Sequence, residues 1–254
     1  MAGTANPLFV GANPTPTSFY PLYFGFYLVH TVIVMNQYHS RKYTLNENFF
    51  SAWSATMAYV LGFWYADGYM RHERSYRVLF FSNDRDHLAQ IASVMESNSP
   101  IRTVVKGVNC GGLCLHSKKL YSDLTLLGGI RRKSTSMKLP DIPPIYFRDF
   151  LRGYFDGDGS VHFISYIATK NNKRYTDIRS NFTSGDLIFI SHIRDFLTNL
   201  LDLYPRAIGQ FGPHQFKLGY AQKDTYTLMR YMYYPGNPIA LARKEKYLAY
   251  FNVH

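Results

Sequence analysis

The feature that most constrains this chain is a nine-residue pattern that occurs twice. Residues 60–68 read VLGFWYADG and residues 151–159 read LRGYFDGDG, and the two stretches align without a gap. Each begins with an apolar residue, has glycine third and two aromatic residues next, and ends in Asp-Gly. Recurrence of this kind indicates an internal repeat, so we expect two related halves.

Each copy is predicted to form the C-terminal part of a helix. The proline pair 143–144 supplies a start for the second helix, because proline loses no hydrogen bond in a first turn. Either Ser51 or Ser54 can cap the first helix. We expect Gly68 and Gly159 to end the two helices in a left-handed conformation.

Small residues recur at spacings of four on both predicted helices. They are Ala58, Gly62 and Ala66 in the first copy and Gly153 and Gly157 in the second. This spacing places them on one helix face, where the loss of side-chain bulk lets two backbones approach closely. Because glycine inside a helix costs about 1 kcal/mol relative to alanine, we expect these residues to form the contact between the helices.

Asp67 and Asp158 occupy the same position in the two copies. If the helices lie side by side in the same direction, the two carboxylates meet at the C-terminal ends. There they repel each other and face the negative ends of both helix dipoles. A divalent cation would relieve this repulsion, and oxygen ligands without a nearby Cys or His cluster suit Mg²⁺, with Mn²⁺ and Ca²⁺ as alternatives.

The two copies resemble the signature helices of single-chain LAGLIDADG homing endonucleases, which cut long DNA sites at intron or intein insertion points. The resemblance covers residues 49 to 254. It implies an α+β fold in which two antiparallel sheets form a DNA-binding saddle around the two packed helices. It also implies a monomer with pseudo-twofold symmetry.

The resemblance further implies the chemistry of the paired aspartates. Asp67 and Asp158 would each bind metal near one scissile phosphate, so that both strands of a double-stranded DNA target are hydrolysed with a stagger across the minor groove. The backbone carbonyls of Ala66 and Gly157 would complete the coordination of the metal.

Two lysines and two further residues near the motifs need separate interpretations. Lys133 and Lys244 occupy equivalent places in the halves and are similar to the basic residues that family members bring near the metal; general phosphate binding is the alternative. Asp156 lies two residues before the second motif aspartate, so a helix turns it away from the metal and a structural role is favoured. His162 is interpreted as a surface or packing residue.

The charge balance independently favours a nucleic-acid partner. The chain has 28 Lys and Arg residues against 17 Asp and Glu residues, a net charge of +11. Lysine and arginine contacts to phosphates release counterions and dominate affinity, so a polyanion is expected before a membrane. Charge alone does not exclude a generic basic protein. Cys110 and Cys114 are too few for a zinc site of their own and are expected to be free thiols.

Both halves repeat one order of predicted elements, a duplicated αββαββα unit. After the first motif we expect strands within 69–82, a helix over 83–95, strands over 101–106 and 112–116, and a helix over 118–128. After the second we expect a hairpin over 161–183, a helix over 187–201, strands over 206–211 and 214–220, and a helix over 225–233. The chain divides into an N-terminal extension (1–48), a first half (49–130), a linker (131–143) and a second half (144–254).

Basic and amide side chains on the predicted strands and turns are candidate DNA contacts. Arginine reads guanine and asparagine reads adenine in the major groove, so a long hairpin with mixed polar residues suits base recognition. For each one, a solvated surface charge is the alternative. The candidates are Arg71, Arg74, Arg77, Arg102 and Lys106 in the first half, and Lys170, Asn172, Lys173, Arg174, Arg179 and Asn181 in the second.

The N-terminal extension lies outside the resemblance. Residues 1–18 are small and proline-rich and are predicted to be disordered. Residues 22–35 form an apolar run that is shorter than the roughly 20 residues of a membrane span and lacks the features of a signal peptide. Translation from Met35 is a further alternative. We expect no catalytic role for the extension, no membrane partner, and an intracellular location in a bacterial cytoplasm or an organelle matrix.

Two other functions fit the same fold. One is an intron maturase that binds group I intron RNA, and the other is a DNA-binding regulator without catalysis. Both need the basic surface but neither needs the acids. Presence of both Asp67 and Asp158 favours the nuclease, because acids beside phosphates are unfavourable without a metal ion.

Overall fold

The computed structural model describes residues 42–104, 110–131 and 136–251. The first half contains α1 (Ala55–Asp67), β1 (Gly68–Arg71), β2 (Arg77–Ser82), α2 (Arg85–Val94), β3 (Arg102–Thr103), β4 (Gly111–His116) and α3 (Lys118–Leu126). The second contains α4 (Pro144–Asp158), β5 (Gly159–Ala168), β6 (Lys173–Ser184), α5 (Leu187–Leu201), β7 (Ile208–Gly212), β8 (Gln215–Tyr220) and α6 (Gln222–Met232). The predicted duplicated αββαββα unit is confirmed, and two short helices that were not predicted follow it: α7 (Ala242–Glu245) and α8 (Leu248–Phe251).

Each half contributes one four-stranded antiparallel sheet. The first has the order β1-β2-β4-β3 and is called sheet A; the second has the order β5-β6-β8-β7 and is called sheet B. The two orders are the same when the halves are aligned, so the fold is α+β with an internal repeat. Sheet B differs in the length of its first hairpin, where 10 residues of β5 pair with β6. In sheet A only four residues of β1 pair with β2.

The small residues bring α1 and α4 into backbone contact. A Cβ atom added at Gly62 would lie 2.0 Å from the Phe150 carbonyl oxygen, and one added at Gly153 would lie 2.0 Å from the Tyr59 carbonyl oxygen. Further along, one at Gly157 would lie 2.3 Å from the Ala66 Cβ. Contacts therefore advance in the same direction on both helices, which run side by side with their C-terminal ends together.

The helix ends differ from the prediction. Gly68 and Gly159 have φ values of −98° and −90°, so the prediction of a left-handed conformation was wrong. Both residues pass directly from helix to strand in an extended conformation. Their need for glycine is steric, because an added Cβ would lie 2.2 Å from a ring atom of Trp64 or of Phe155, respectively. Ser54, one of the two expected caps, accepts a hydrogen bond from the Met57 N–H at 3.0 Å.

The apolar residues of both halves form one continuous cluster. Aromatic residues connect the halves. The ring of Tyr65 on α1 lies 5.4 Å from that of Phe150 and stacks on that of Phe189 at 5.9 Å, both in the second half. Each sheet buries one face in this cluster and leaves the other face open, as the alternation of buried residues with partly or fully exposed ones along β2 and β4 and at both ends of the buried part of β6 shows.

Connecting segments also pack against the two halves. Within the predicted extension, the Asn46 N–H donates to the Met95 carbonyl at 3.0 Å. Within the predicted linker, the Met137 N–H donates to Asp186 at 3.1 Å, and Met137 is buried. The apolar run 22–35 and the possible start at Met35 lie outside the described residues. Among the described helices, none combines the length and apolar character that crossing a bilayer requires.

Replacing Gly62 or Gly153 by alanine should destabilise the protein by about 3 kcal/mol or more, because the new methyl group would overlap a backbone carbonyl that cannot move without shifting a helix. Gly219→Ala is a matched control, since no atom lies within 4 Å of its Cβ position. The free energy of unfolding in urea measures both effects. A loss below about 1 kcal/mol at Gly62 and Gly153 would contradict the described helix contact.

Candidate functional site

The paired aspartates lie at the adjacent ends of α1 and α4. Asp67 is the last residue of α1 and Asp158 is the last residue of α4. A Cβ atom at Gly157 would lie 3.1 Å from Asp67 Oδ2, so this carboxylate lies against the final turn of the opposite helix. Both aspartates act electrostatically on the Lys244 ammonium and on the Tyr154 hydroxyl. The two acids therefore share one electrostatic environment.

Lys244 is buried beside this pair. It belongs to α7, and its Nζ donates hydrogen bonds to the carbonyls of Phe155, Asp156 (2.9 Å) and Gly159 (2.6 Å). All three ammonium protons are thus directed at the turn that carries Asp158. Burial lowers the pKa of Lys244 to about 8, and the negative charge of Asp156 opposes this shift. The predicted role of Lys244 near a metal stays a prediction; the contacts described here hold the end of α4 in place.

Asp156 points away from the paired aspartates into a buried polar network. Its carboxylate accepts hydrogen bonds from Tyr59 (2.6 Å), Tyr233 and the Leu241 N–H (2.8 Å). Burial raises the pKa of Asp156, and the neighbouring Lys244 charge opposes this effect. These contacts agree with the structural role that the sequence favoured for Asp156.

In the first half, Tyr65 joins the motif helix to the following segment as Asp156 does in the second half. Tyr65, which occupies the repeat position of Asp156, donates from its hydroxyl to the carbonyls of Leu127 at 2.8 Å and Lys138 at 3.0 Å. In both halves, the motif helix is thereby joined to the segment that follows the last helix of the repeat. The chemistry differs, since the first half uses a neutral hydroxyl and the second a carboxylate.

Tyr59 extends the network of Asp156 to α2 in the first half. Its hydroxyl also lies 2.9 Å from His87 Nε2 on α2. The single proton of Tyr59 is donated to Asp156, so His87 donates to the Tyr59 oxygen. Burial lowers the pKa of His87, and the negative charge of Asp156 opposes this shift. Nearby, Arg243 pairs with Asp84 at 3.0 Å and joins α7 to the first half.

Sheet B also supports the end of α4. The Thr183 hydroxyl donates to the Asp158 carbonyl at 2.7 Å, and the Tyr154 hydroxyl donates to the Thr183 carbonyl at 2.6 Å. A surface cavity of about 380 Å³ borders Asp158 and Thr183 and continues to Gln215 and Lys217 on β8. The second aspartate therefore lies where the open face of sheet B begins.

The ligands available at the paired aspartates suit a hard cation. Carboxylates of Asp67 and Asp158 and main-chain carbonyls of Ala66 and Gly157 would provide oxygen ligands only. Within residues 42–104, 110–131 and 136–251, no group of three or more His, Cys, Asp or Glu side chains is placed to hold a metal ion. Such a ligand set suits a hard divalent cation, which one or two carboxylates can hold together with phosphate oxygens of a substrate.

The open face of sheet A carries three rows of paired residues. The row farthest from the aspartates contains Arg71, Arg77 and His116. The middle row contains Tyr69, Leu79 and Cys114, and the row nearest the aspartates contains Phe81, Gly112 and Arg102. The basic residues thus surround an apolar centre. Arg71 is paired with Glu73, which also binds Arg131 at 2.7 Å, so part of this charge is already neutralised.

The corresponding rows on sheet B are polar. His162 pairs with Arg179, Asn181 pairs with Ser160 on one side and Gly219 on the other, and Thr183 pairs with Lys217. A cavity of about 440 Å³ on this face is bordered by four basic side chains, those of His162, Arg179, Arg206 and Lys217. This face can donate and accept several hydrogen bonds and attract an anion.

The remaining candidate contacts lie in several different places. Arg74 is exposed between β1 and β2, and Lys170 and Asn172 lie in the turn at the tip of the β5–β6 hairpin, where Asn172 has φ 54°. Strand alternation places Lys173 on the same face of β6 as Arg179 and Arg174 on the opposite face.

Asn181 lies on the open face but is buried, and its amide donates to Ser160 at 2.6 Å. This amide is therefore already engaged within the sheet. Lys106 and Lys133 lie outside the described residues, so their predicted roles stay predictions.

Sequence reasoning missed Lys217, Arg206 and the position of His162 on the basic face. A usable signal existed for Lys217, because it alternates with the buried Leu218 on a predicted strand. His162 likewise alternates with the buried Val161. No comparable signal existed for Arg206. This residue precedes β7, and it borders the cavity because the fold brings it next to residues of β5, β6 and β8.

Comparison with solved structures identifies the fold. The chain is similar to the LAGLIDADG meganuclease I-AabMI bound to uncleaved DNA, with a TM-score of 0.53 and 11% identity over 77% of this chain and 88% of that one. It is similar to I-SmaMI bound to an uncleaved DNA target in the presence of calcium ions, with a TM-score of 0.53 and 12% identity over 80% and 90% of the chains. It is also similar to the I-LtrWI LAGLIDADG homing endonuclease bound to target DNA, with a TM-score of 0.52 and 11% identity over 82% of this chain and 90% of that one.

The resemblance noted in the sequence is confirmed at the level of the fold: this chain has the fold of the LAGLIDADG endonucleases. No protein-family model matches the chain, and no curated protein matches it.

Lys244→Met should reduce the free energy of unfolding by about 3 kcal/mol, because the carbonyls at the end of α4 lose a charged donor while remaining largely buried. Lys246→Met, at an exposed position two residues later, is the matched control and should change stability by less than about 0.5 kcal/mol. Urea denaturation measures both. Equal effects of the two substitutions would show that the three hydrogen bonds contribute little.

His87 should make the protein less stable in acid. Because burial lowers its pKa in the folded state, the unfolded chain binds the proton first as the pH falls below about 6.5, and the free energy of unfolding decreases. In His87→Gln this contribution is absent, so the wild type should lose stability relative to the variant between about pH 7.5 and 5.5. His192→Gln, at an exposed position on α5, controls for loss of a histidine. Parallel stability curves for wild type and His87→Gln would contradict this assignment.

Proposed function

We propose that this chain is a site-specific DNA endonuclease that hydrolyses both strands of a long double-stranded target with divalent metal ions. One observation carries the proposal. The reciprocal contacts of Gly62 and Gly153 bring Asp67 and Asp158 to adjacent helix ends, at the edge of two open sheet faces that carry basic side chains. Two acids in this position need a counter-charge, and phosphates of a duplex need a cation.

Charge and shape support DNA as the partner. The net charge of +11 favours a polyanion. The paired strands themselves carry arginine or lysine on the open face of each sheet. An antiparallel two-stranded ribbon fits the major groove, where side chains can reach base edges. The three similar structures described above are bound to DNA, and one of them was determined in the presence of calcium ions.

In the proposed reaction, one group of residues holds the metal ions, a second positions the turn that carries Asp158, and Lys133 acts on the phosphate. Asp67 and Asp158 would hold the metal ions, with the carbonyls of Ala66 and Gly157 as further ligands. A bound Mg²⁺ ion would activate a water molecule and neutralise charge on the phosphate. Lys244 and Thr183 fix the turn that carries Asp158 through hydrogen bonds to its backbone. Lys133 is proposed to bind phosphate or to assist near the metal.

The function can be tested with a library of long randomised duplexes, incubated with the purified protein and Mg²⁺ and sequenced at the cut ends. We expect cleavage at one preferred site, with a fixed stagger between the two strands. Binding without cleavage, in Mg²⁺ and again in Mn²⁺, would overturn the nuclease and leave RNA binding or gene regulation as the function of this fold.

Asp67→Asn and Asp158→Asn should each reduce double-strand cleavage by about a hundredfold or more, because each removes a charged metal ligand. DNA affinity should be retained, because asparagine keeps the shape of the aspartate side chain and the basic faces of the two sheets are unchanged. The control is Asp202→Asn at an exposed left-handed position, which asparagine also tolerates. Initial cleavage rates and Kd values separate the two effects, and full activity in either motif variant would contradict the metal assignment.

A further inference from the structure

We propose that the two sheets read their halves of the DNA target by different chemistry, and that sheet A recognises thymine methyl groups. The inference rests on the proposed DNA-binding function and concerns how bases are distinguished. Its basis is the contrast between residues at equivalent positions of the two open faces. Three positions that carry Tyr69, Leu79 and Cys114 on sheet A carry Ser160, Asn181 and Gly219 on sheet B.

Equivalence of these positions follows from the register. Gly68 pairs with Phe80 at the start of sheet A, and Gly159 pairs with Phe182 at the start of sheet B. One step further from the aspartates, Tyr69 pairs with Leu79, and Ser160 pairs with Asn181. On the other side of the same pair, Phe81 occupies the position of Thr183. The two faces therefore differ in side chains at matched places in the fold.

The apolar residues of sheet A do not belong to the buried core. The core side of this sheet is formed by Met70, Val78, Phe80, Leu113 and Leu115, all 1% exposed or less. Leu79, Phe81 and Cys114 alternate with them and are partly exposed, and Tyr69 is 37% exposed. An open sheet face normally carries polar residues, so an apolar centre on this face indicates a contact that is made with a partner.

The charges around this apolar centre identify the partner. Arg77 and His116 lie in the row beyond it, and Arg102 lies in the row nearest the aspartates. Both arginines act electrostatically on the Cys114 thiol, which places them beside the apolar centre. A surface with cationic edges and an apolar middle matches the major groove, where phosphates flank the base edges. Only one base presents an apolar group there, the C5 methyl of thymine.

Sheet B supplies the complementary mode. The rows of its open face that match those of sheet A all have a side chain able to form hydrogen bonds, from His162 and Arg179 to Thr183 and Lys217. The apolar Ile164 borders the same cavity one row further from the aspartates. Such groups distinguish guanine, adenine and cytosine by their donors and acceptors. The described faces thus predict a target whose two halves differ in base composition and in the chemical groups that are read.

Uracil tests the proposal, because deoxyuridine differs from thymidine only by the absence of the C5 methyl. The cleavage site selected from the randomised library is prepared with thymidine replaced by deoxyuridine in one half at a time. Kd values are measured with EDTA present, so that no strand is cut. We expect one half-site to lose about fourfold in affinity for each contacted methyl group, and the other to change less than twofold.

Variants assign the sensitive half-site to sheet A. Leu79→Asn and Phe81→Thr introduce the side chains of the equivalent sheet B positions, and in each the ratio of deoxyuridine to thymidine Kd values should fall towards one. Arg77→Gln is the control, since it should weaken both duplexes equally. Circular dichroism verifies that each variant is folded, and the wild-type measurement needs no substitution.

Three results would overturn the inference alone: a ratio near one in both half-sites, a selected half-site without thymine, or a ratio unchanged in Leu79→Asn and Phe81→Thr. Any of them would mean that the apolar centre serves packing within the chain. A protein that prefers no duplex sequence would overturn the proposed function and this inference together.

Discussion

The close approach of two helix backbones determines the rest of this structure. At Gly62 and Gly153, each helix occupies space that a single methyl group on the other would fill. Side chains that would normally separate two helices are absent there, so the larger residues of α1 and α4 are directed into the surrounding apolar cluster. The same contact brings both motif aspartates together, and it fixes where the two sheets begin, because each first strand starts at the residue after its aspartate.

Around this contact the halves have diverged in their buried polar groups. The first half joins its helix to the following segment with the hydroxyl of Tyr65, whereas the second uses the Asp156 carboxylate. The second half also buries Arg152, which pairs with Asp149 at 2.8 Å and donates to two main-chain carbonyls. Together with Lys244, these groups make the second half more polar inside and hold the end of α4 through many directional bonds.

Local patterns in the sequence were sufficient for the fold and for part of the site. Glycine spacing predicted the helix contact, and alternation predicted both sheets, because each pattern reflects neighbours within a few residues. Contacts between distant residues left no such trace. The three carbonyls bound by Lys244 lie far from it in sequence. At position 68 the contact is local, since an added Cβ would meet the Trp64 ring, but an Asp-Gly sequence at a helix end is the same whether glycine is needed for space or for a left-handed conformation. A left-handed helix end was therefore expected where an extended one occurs. Arg174 was likewise grouped with Arg179, although strand alternation places them on opposite faces.

The bonds of Asp156 also bear on the order in which the chain can assemble. Tyr59, one of its three partners, belongs to the first half, whereas Tyr233 and Leu241 belong to the second. A ribosome completes the first half before the second. The Tyr59 hydroxyl can donate its hydrogen bond to water until Asp156 has been synthesised. The Asp156 carboxylate is made later, when Tyr59 has already been synthesised. The half that carries the costly internal charge is thus the one synthesised last, and its folding is coupled to the half that precedes it.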